Sequence, residues 1–305
     1  MTVELPPETV EAVAVFVLRA RRLVEGVLGG LHRSPFEGAS IEFSSYKDYT
    51  PGDDLRHIDW KAYGRTDRIY LKRHMRETAA SGYLVMDRTR SMTYRGERAL
   101  FPKMEYASLL AAAFAMIMLR QGDAPGLLCF SRSKRFYLPP RRRPDHLQAV
   151  LDRLALPDPD DVEGDEAAAH PLPKALEELA AVVKGRSMIF IFSDLLDLDP
   201  EALSSVRLLG ARGHDVSVVQ VLDPDEADLG FRNASLFVGL EGEGELTADP
   251  SLVRRAYLAG LERLENDWRK TCGESGCEFA RVESGRPLEE ALSRLLAGRS
   301  GRGGR

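Results

Sequence analysis

One stretch decides the fold, and it reads Tyr83-Leu84-Val85-Met86-Asp87-Arg88-Thr89-Arg90-Ser91-Met92. Its first four residues form a short apolar run, as in a buried strand, and the run then gives way to polar residues. An alanine-rich segment follows at about residues 103–121, with the length and composition of a buried helix. The order of strand, polar loop and helix is typical of one unit of a parallel sheet.

The same order recurs along the chain after this unit. Further strands are predicted at residues 126–130, 135–138, 187–192, 216–222, 235–238 and 278–282. Further helices are predicted at residues 145–156, 172–184, 200–212, 252–271 and 287–296. Strands that alternate with helices in this way predict an α/β fold with a doubly wound, mainly parallel, Rossmann-like sheet.

The N-terminal part of the chain has a different pattern. Residues 10–28 predict an amphipathic helix, and residues 31–78 are short apolar pieces broken by glycine, proline and aspartate. The second region is too poor in apolar residues for a core of its own. We therefore predict a helix and a small strand-and-turn companion over residues 1–78, packed on a main domain over 79–230. An extension over 231–297 and a flexible tail over 298–305 follow.

Composition limits the classes of function. The 305 residues are 44% hydrophobic and 29% charged, which is ordinary for a globular protein. A net charge of −5 argues against nucleic acid as the main partner. The apolar N-terminal segment carries charged residues throughout, so no membrane insertion is predicted. Three cysteines, an odd number, favour reduced thiols and a cytoplasmic location.

Oxygen-bearing side chains stand at the ends of two predicted strands. Asp87, Thr89 and Ser91 alternate along the loop after the first strand, and Asp194 lies in the loop Ser193-Asp194-Leu195 after the predicted strand at residues 187–192. In an open parallel sheet, ligands bind where loops leave the carboxyl ends of neighbouring strands. Carboxylates and hydroxyls without thiolates suit Mg²⁺, with Mn²⁺ or Ca²⁺ as alternatives. The sequence therefore predicts a divalent-cation site.

The pattern Asp-x-Thr-x-Ser at residues 87–91 resembles the metal-ion-dependent adhesion site of von Willebrand factor A domains. The resemblance implies that Thr89 and Ser91 are direct ligands of the cation. It also implies that Asp87 and Asp194 hold the cation directly or through water. An acidic residue of a partner protein would then complete the shell.

A second resemblance covers most of the chain. A stretch from Ser34 to Thr66 is similar to the signature of the bacterial domain-of-unknown-function family fifty-eight, whose members carry an A-type domain downstream. The stretch includes the run Tyr49-Thr50-Pro51-Gly52-Asp53-Asp54-Leu55-Arg56-His57-Ile58-Asp59-Trp60. The same resemblance matches Lys103-Met104-Glu105-Tyr106, Gln121-Gly122-Asp123 and Ser193-Asp194-Leu195. Members are often encoded beside AAA+ ATPases of the MoxR type. The resemblance therefore implies a non-enzymatic adaptor or chaperone-like partner of such an ATPase.

Three residues depart from the adhesion-site pattern. The third hydroxyl of that pattern falls near His170, which makes His170 a candidate ligand and favours Mn²⁺ or Zn²⁺, or loss of the metal. Arg88 and Arg90 place positive charge beside the predicted cation. We expect them to weaken metal binding unless their side chains point away.

Other interpretations of the same residues stay open. Asp87 and Asp194 could instead cap the helices that follow them, as aspartate often does after a strand. A hydrolase or phosphatase with Asp87 as nucleophile is a second alternative, although position 89 lacks the usual second carboxylate. A scaffold that has lost its metal is the third. Cys272 and Cys277 lack a second close pair of ligands, so we predict buried thiols rather than a zinc site.

Overall fold

The computed structural model describes residues 7–31, 46–48, 70–72, 80–156, 171–196, 199–231, 233–241 and 244–300. Its helices are α1 (Pro7–Leu31), α2 (Lys103–Arg120), α3 (Pro144–Ala155), α4 (Pro171–Val182), α5 (Pro200–Ala211), α6 (Pro224–Asp228), α7 (Pro250–Glu274) and α8 (Leu288–Ser300). Its strands are β1 (Tyr46–Asp48), β2 (Tyr70–Lys72), β3 (Ser81–Asp87), β4 (Ala124–Phe130), β5 (Arg135–Leu138), β6 (Ser187–Ser193), β7 (Asp215–Leu222), β8 (Ser235–Val238), β9 (Glu245–Ala248) and β10 (Glu278–Glu283). A 3₁₀ turn spans Arg90–Thr93.

Six of these strands form the central sheet in the order β10-β7-β6-β3-β4-β5. All neighbouring pairs are parallel except β4 and β5, which pair antiparallel at one edge. The predicted doubly wound, mainly parallel α/β sheet is therefore confirmed. The order reverses between β3 and β6, because the chain builds one half of the sheet outward from β3 and the other half outward from β6. Such a switch point opens a crevice at the carboxyl ends of the two strands.

Side chains of the sheet are buried on both faces, as the uninterrupted apolar strands predict. In β3, Leu84 and Met86 pack on one face and Val85 on the other. The first face is covered by α1, α2, α3 and α8, and the second by α4, α5 and α7. Trp268 of α7 is 1% exposed and is among the largest buried side chains. The helices thus hold the strand ends, and the loops that leave them, in fixed positions.

The chain divides into two compact units, residues 1–29 with 80–305 and residues 30–79. Helix α1 belongs to the first unit, where Ala20, Leu23 and Val24 are buried in the core. The described part of the second unit is the antiparallel pair β1 and β2, in which Lys47 lies opposite Leu71. The predicted domain boundaries stay predictions.

Most predicted elements are confirmed, and the differences lie at the C-terminal side. The predicted strand at residues 235–238 is β8, but it pairs with β9 in a separate hairpin and not with the central sheet. Neither β9 nor the short helix α6 was predicted. Helix α8 continues to Ser300, which takes it into the segment predicted as a tail.

Two smaller findings concern the membrane and the thiols. In the part of the chain that the structure describes, no helix is long and apolar enough to cross a membrane. Cys129, Cys272 and Cys277 are buried, as predicted for Cys272 and Cys277. The prediction of a cytoplasmic location stays a prediction.

Candidate metal centre

Asp87 is the last residue of β3, and its carboxylate is buried beneath the loop that follows. Its Oδ1 accepts hydrogen bonds from the Thr89 amide at 2.9 Å and from the Thr89 hydroxyl at 2.6 Å. Its Oδ2 accepts one from the Ser193 hydroxyl at 2.6 Å. The hydroxyl oxygens of Thr89 and Ser91 are 3.1 Å apart. The three predicted loop residues therefore converge, and Ser193 of β6 joins them.

Asp194 follows β6 and reaches the same crevice. Its Oδ2 lies 2.9 Å from the Nζ of Lys103, and the same Nζ lies 2.5 Å from the Oε1 of Glu226. The next residue, Leu195, has a φ of 54°, which is uncommon for leucine. The Leu195 amide donates to the Ser193 hydroxyl at 3.2 Å, so the turn is tied back onto the site.

Helix capping does not explain the two aspartates. The N-cap of α2 is Pro102, and the N-cap of α5 is Asp199, whose side chain accepts from the Glu201 amide. Asp87 and Asp194 cap neither helix, so the capping alternative is wrong for both. The Asp87 carboxylate accepts from Ser193 at the end of β6 instead, and the Asp194 carboxylate pairs with Lys103.

The pKa of Asp87 is raised, because its carboxylate is buried and lies close to a second acid. Burial and the negative charge of Asp194 together raise the pKa of Asp87 to about 7. Hydrogen bonds from Ser193 and Thr89 act in the opposite direction without reversing the shift. A carboxylate that is ionised at neutral pH in such a place needs a nearby positive charge.

Lys103 places positive charge next to Asp194 and Glu226. Burial by itself lowers the pKa of the Lys103 ammonium, but Asp194 and Glu226 raise it by more, so the net shift is upward. Burial raises the pKa of Glu226, against the opposing effect of Lys103. The buried Lys103 ammonium therefore pairs with two carboxylates, those of Asp194 and Glu226, and the Asp87 carboxylate is close enough to Asp194 to be affected by its charge. The cluster keeps an excess of negative charge.

The donor set fits a hard cation. Within the described ranges, no three side chains from His, Cys, Asp and Glu group closely enough to hold a metal ion by themselves. A cation here would therefore depend on the hydroxyls of Thr89 and Ser91 in addition to Asp87 and Asp194. An oxygen-only set of this kind suits Mg²⁺, Mn²⁺ or Ca²⁺. Ser193 would orient Asp87 through its hydrogen bond.

A cavity of about 290 Å³ opens beside these oxygens. Its walls include Pro171, at the start of α4, and Glu241, in the turn between β8 and β9. The Ser91 amide donates to Glu241 Oε1 at 2.7 Å, and the Arg132 Nε lies 3.1 Å from Glu241 Oε2. The cavity is thus lined by acids and hydroxyls at its base and by an Arg–Glu pair at its rim.

The Arg88 side chain points away from the site. We therefore expect that its charge does not weaken metal binding. Its guanidinium donates to the Ser108 hydroxyl at 3.3 Å and to the carbonyls of Arg153 and Leu156 at 3.1 and 2.7 Å. These carbonyls lie at the C-terminal end of α3, where a cation is favourable. Arg88 therefore ties the loop to α3.

We expect Arg88→Met to lower the free energy of unfolding by about 1–3 kcal/mol, because buried carbonyls lose their donor. The affinity for Mg²⁺ should stay the same, since the guanidinium does not face the site. Urea unfolding and calorimetric titration check the two statements. A tenfold change in Mg²⁺ affinity at unchanged stability would show that the charge of Arg88 does act on the site.

Two sequence predictions fall outside the described residues. His170 is one of them, so its role as a metal ligand, and the metal preference that it implies, stay predictions. Pro171, the next residue, lines the cavity. The signature at residues 49–60 is the other, and its role also stays a prediction.

Four contributors to the site were not predicted. Lys103 is the first residue of α2, where the helix dipole disfavours a cation. A lysine at such an unfavourable position is a feature of the sequence that indicates a compensating acid nearby. Glu226 is the N3 residue of a capping box whose N-cap is Asp223, a pattern that is visible in the sequence. Ser193 was noted only as part of the strand-end loop. Glu241 lies in a glycine-rich turn, and nothing in the sequence connects it with Ser91.

Comparisons with known proteins agree with this architecture. The chain is 28% identical over 225 residues to the uncharacterized protein Rv1480 of Mycobacterium tuberculosis and, equally, to the uncharacterized protein Mb1516 of Mycobacterium bovis. Each alignment covers 73% of this chain and 68% of the relative.

The solved structures that resemble this chain do so at low sequence identity and with TM-scores below 0.5. The conserved hypothetical protein BatB from Bacteroides thetaiotaomicron is 14% identical, with a TM-score of 0.45 over 73% of this chain and 100% of that one. The von Willebrand factor type A structure from Catenulispora acidiphila is 8% identical, with a TM-score of 0.39 over 72% of this chain and 42% of that one. These likenesses concern the fold alone.

The family itself is shown by a match to the whole middle of the chain. The model described as "Protein of unknown function DUF58" matches residues 45–266, which include the strand ends that form the site. This match shows that the chain belongs to the DUF58 family.

Proposed function

We propose that this protein is a metal-dependent protein-protein interaction module. The observation that carries the proposal is the charge imbalance at the switch point, where Asp87, Asp194 and Glu226 line one cavity and one buried ammonium pairs with Asp194 and Glu226. Buried like charges repel strongly in surroundings of low dielectric constant. A divalent cation, when bound, supplies the missing positive charge and attracts a carboxylate from outside.

The residues around the cavity suit an acidic ligand. Thr89 and Ser91 are neutral, so they would hold a cation without cancelling its charge. The Ser91 amide and the Arg132 guanidinium lie at the rim, where each donates to a carboxylate. An acidic side chain of a partner protein would therefore find two donors beside the cation.

The family resemblance suggests the partner. If the chain acts as an adaptor or chaperone-like partner of a MoxR-type AAA+ ATPase, the ATPase would present the acidic residue. The cation would be Mg²⁺, with Mn²⁺ or Ca²⁺ as alternatives. No enzymatic activity is part of this proposal.

A scaffold without a metal is the second candidate, and Lys103 favours it. Its ammonium already neutralises Asp194, as a cation would. The two candidates differ in a calorimetric titration with Mg²⁺ and Mn²⁺, because only the interaction module binds them below millimolar concentration.

The hydrolase alternative gains little from the geometry. Both oxygens of Asp87 are engaged by hydroxyl or amide donors of Thr89 and Ser193. Thr89 also stands where a second carboxylate would act as acid or base. A phosphatase assay on the Mg²⁺-loaded protein would detect this activity.

We expect Ser91→Ala to weaken capture of a MoxR-type ATPase from the same organism by roughly 100-fold, and chelator to do the same, because both remove the cation from the interface. Arg90→Ala should only slow association, since charges at a rim act mainly on the rate of encounter. The measurement is surface-immobilised binding kinetics with Mg²⁺ and with EDTA.

Thr93→Ala is the matched control, because Thr93 is an exposed hydroxyl residue on the same 3₁₀ turn. It should bind as the unaltered protein does. Capture that survives both chelator and Ser91→Ala would show that another surface recognises the ATPase, such as the exposed residues Arg141, Arg142 and Arg143.

A further inference from the structure

The chain places one of its own carboxylates where a partner's would bind. Glu241 lies in the turn between β8 and β9, far from Ser91 in sequence, yet its Oε1 accepts from the Ser91 amide at 2.7 Å. Arg132 contacts Glu241 in two places. Its Nε lies 3.1 Å from Glu241 Oε2, and a second guanidinium nitrogen donates to the Glu241 carbonyl at 3.0 Å. The Glu241 side chain is only 10% exposed, so it is packed into the cavity wall.

The position of Glu241 is electrostatically unexpected. The cavity that it lines already contains Asp87, Asp194 and Glu226. A further carboxylate is repelled by these acids unless positive charge or donors compensate it. Arg132 and the Ser91 amide provide that compensation on the rim side. The same two groups are the donors that would receive an acidic side chain from a partner.

The hairpin that carries Glu241 is only lightly packed. Leu236 and Val238 of β8 are each 56% exposed, and Leu246 of β9 is 64% exposed. A segment that buries so little apolar surface is held by few contacts and opens at low cost. The polar contacts of Glu241 are therefore a large share of what fixes the tip of this hairpin.

We propose that Glu241 is the internal occupant of the acidic-ligand position, and that a partner binds by exchanging its own carboxylate for that of Glu241. This inference rests on the proposed function, because it assumes a cation site that takes an acidic ligand. The exchange replaces one carboxylate by another, so the net charge of the site stays the same. The Ser91 amide and Arg132 stop donating to Glu241 and donate to the incoming carboxylate instead.

The exchange has a consequence for affinity. An internal ligand competes with an external one, and the apparent affinity falls by the fraction of sites that are open. Removal of the Glu241 carboxylate should therefore strengthen binding of an external carboxylate. It should also free water sites on a bound cation or beside it.

The test uses the full chain loaded with Mn²⁺ and acetate as the probe. Water-proton relaxation of bound Mn²⁺ reports the exchangeable water at the ion, and acetate titration reports carboxylate binding. Glu241→Ala should bind acetate about tenfold more tightly than the unaltered protein and should raise the relaxivity of bound Mn²⁺. Glu245→Ala is the control, because Glu245 is exposed on the same hairpin and removes the same charge.

Hydrogen exchange supplies a measurement that needs no variant. Saturating acetate should speed amide exchange in the β8–β9 hairpin of the unaltered Mn²⁺-loaded protein, because the hairpin tip is released. The Ser91 amide should keep its protection, because it then donates to acetate. The inference is overturned if protection of the β8–β9 hairpin is unchanged and acetate affinity is equal in Glu241→Ala and Glu245→Ala. Glu241 would then serve only as a hydrogen-bond acceptor for the Ser91 amide. Failure of Mn²⁺ to bind any of the three proteins overturns the proposed function itself.

Discussion

Replacement of Lys103 by methionine should lower the free energy of unfolding by about 3–5 kcal/mol, because it leaves two buried carboxylates without their shared ammonium. The Lys103 side chain is fully buried, and its Nζ pairs with Asp194 at 2.9 Å and with Glu226 at 2.5 Å. Methionine keeps the apolar stem, so the loss reports mainly the charge. Denaturant unfolding in the presence of chelator measures it.

Two further variants separate charge from packing. Lys184→Met alters an exposed lysine and should change stability by no more than about 0.5 kcal/mol. Lys103→Met combined with Asp194→Asn and Glu226→Gln should regain much of the loss, because the uncompensated charges are then gone. A triple variant no more stable than Lys103→Met alone would contradict the role of the ammonium.

Asp87→Asn is expected to weaken Mg²⁺ binding by roughly 100-fold or more, since even outer partners of metal ligands are worth about 10–100-fold. Asparagine keeps the local hydrogen bonds, because its oxygen can accept from Thr89 and its amide can donate to Ser193. The fold should therefore persist while the charge is lost. Calorimetric titration of both proteins measures the difference.

The same substitution should change how stability depends on pH in the metal-free protein. The pKa of Asp87 is raised to about 7 in the folded state, above its value in the unfolded chain. A group shifted in this direction supports folding below its unfolded pKa, and that support is lost as the pH rises through the folded pKa. The unaltered protein should therefore lose stability between about pH 4 and pH 7 relative to Asp87→Asn.

A matched control serves both predictions for Asp87→Asn, the weaker Mg²⁺ binding and the altered dependence of stability on pH. Asp267→Asn removes one carboxylate from the exposed face of α7 and should alter neither the Mg²⁺ affinity nor the pH profile. Unchanged Mg²⁺ affinity in Asp87→Asn, or no binding below millimolar concentration in the unaltered protein, would refute the metal site and leave the scaffold alternative.

Much of the fold could be predicted because its signals are local. Apolar runs without alternation indicate strands buried on both faces, and β6 is an example. Strands that alternate with helices lead to a parallel sheet, since parallel neighbours need a helical crossover. The β8–β9 hairpin was harder to predict, because its strands are short and largely exposed and belong to no core.

The candidate site could be predicted in part for the same reason. Asp87 and Asp194 follow buried strands directly, so topology alone brings them to one edge of the sheet. The direction of Arg88 could not be predicted, because a loop side chain beside the site can face either the cavity or the neighbouring helices. Its direction depends on the carbonyls at the end of α3, which accept hydrogen bonds from its guanidinium.

By itself, the sequence determined the α/β sheet and the meeting of Asp87, Thr89, Ser91 and Asp194 at its switch point, because strand burial and strand order suffice for both. Only the tertiary structure decided what surrounds them. Lys103 and Glu226 come from the starts of two helices, and Glu241 comes from a hairpin outside the sheet. Their contacts depend on how α2, α6 and that hairpin pack, and such long-range packing leaves no periodic pattern in the sequence.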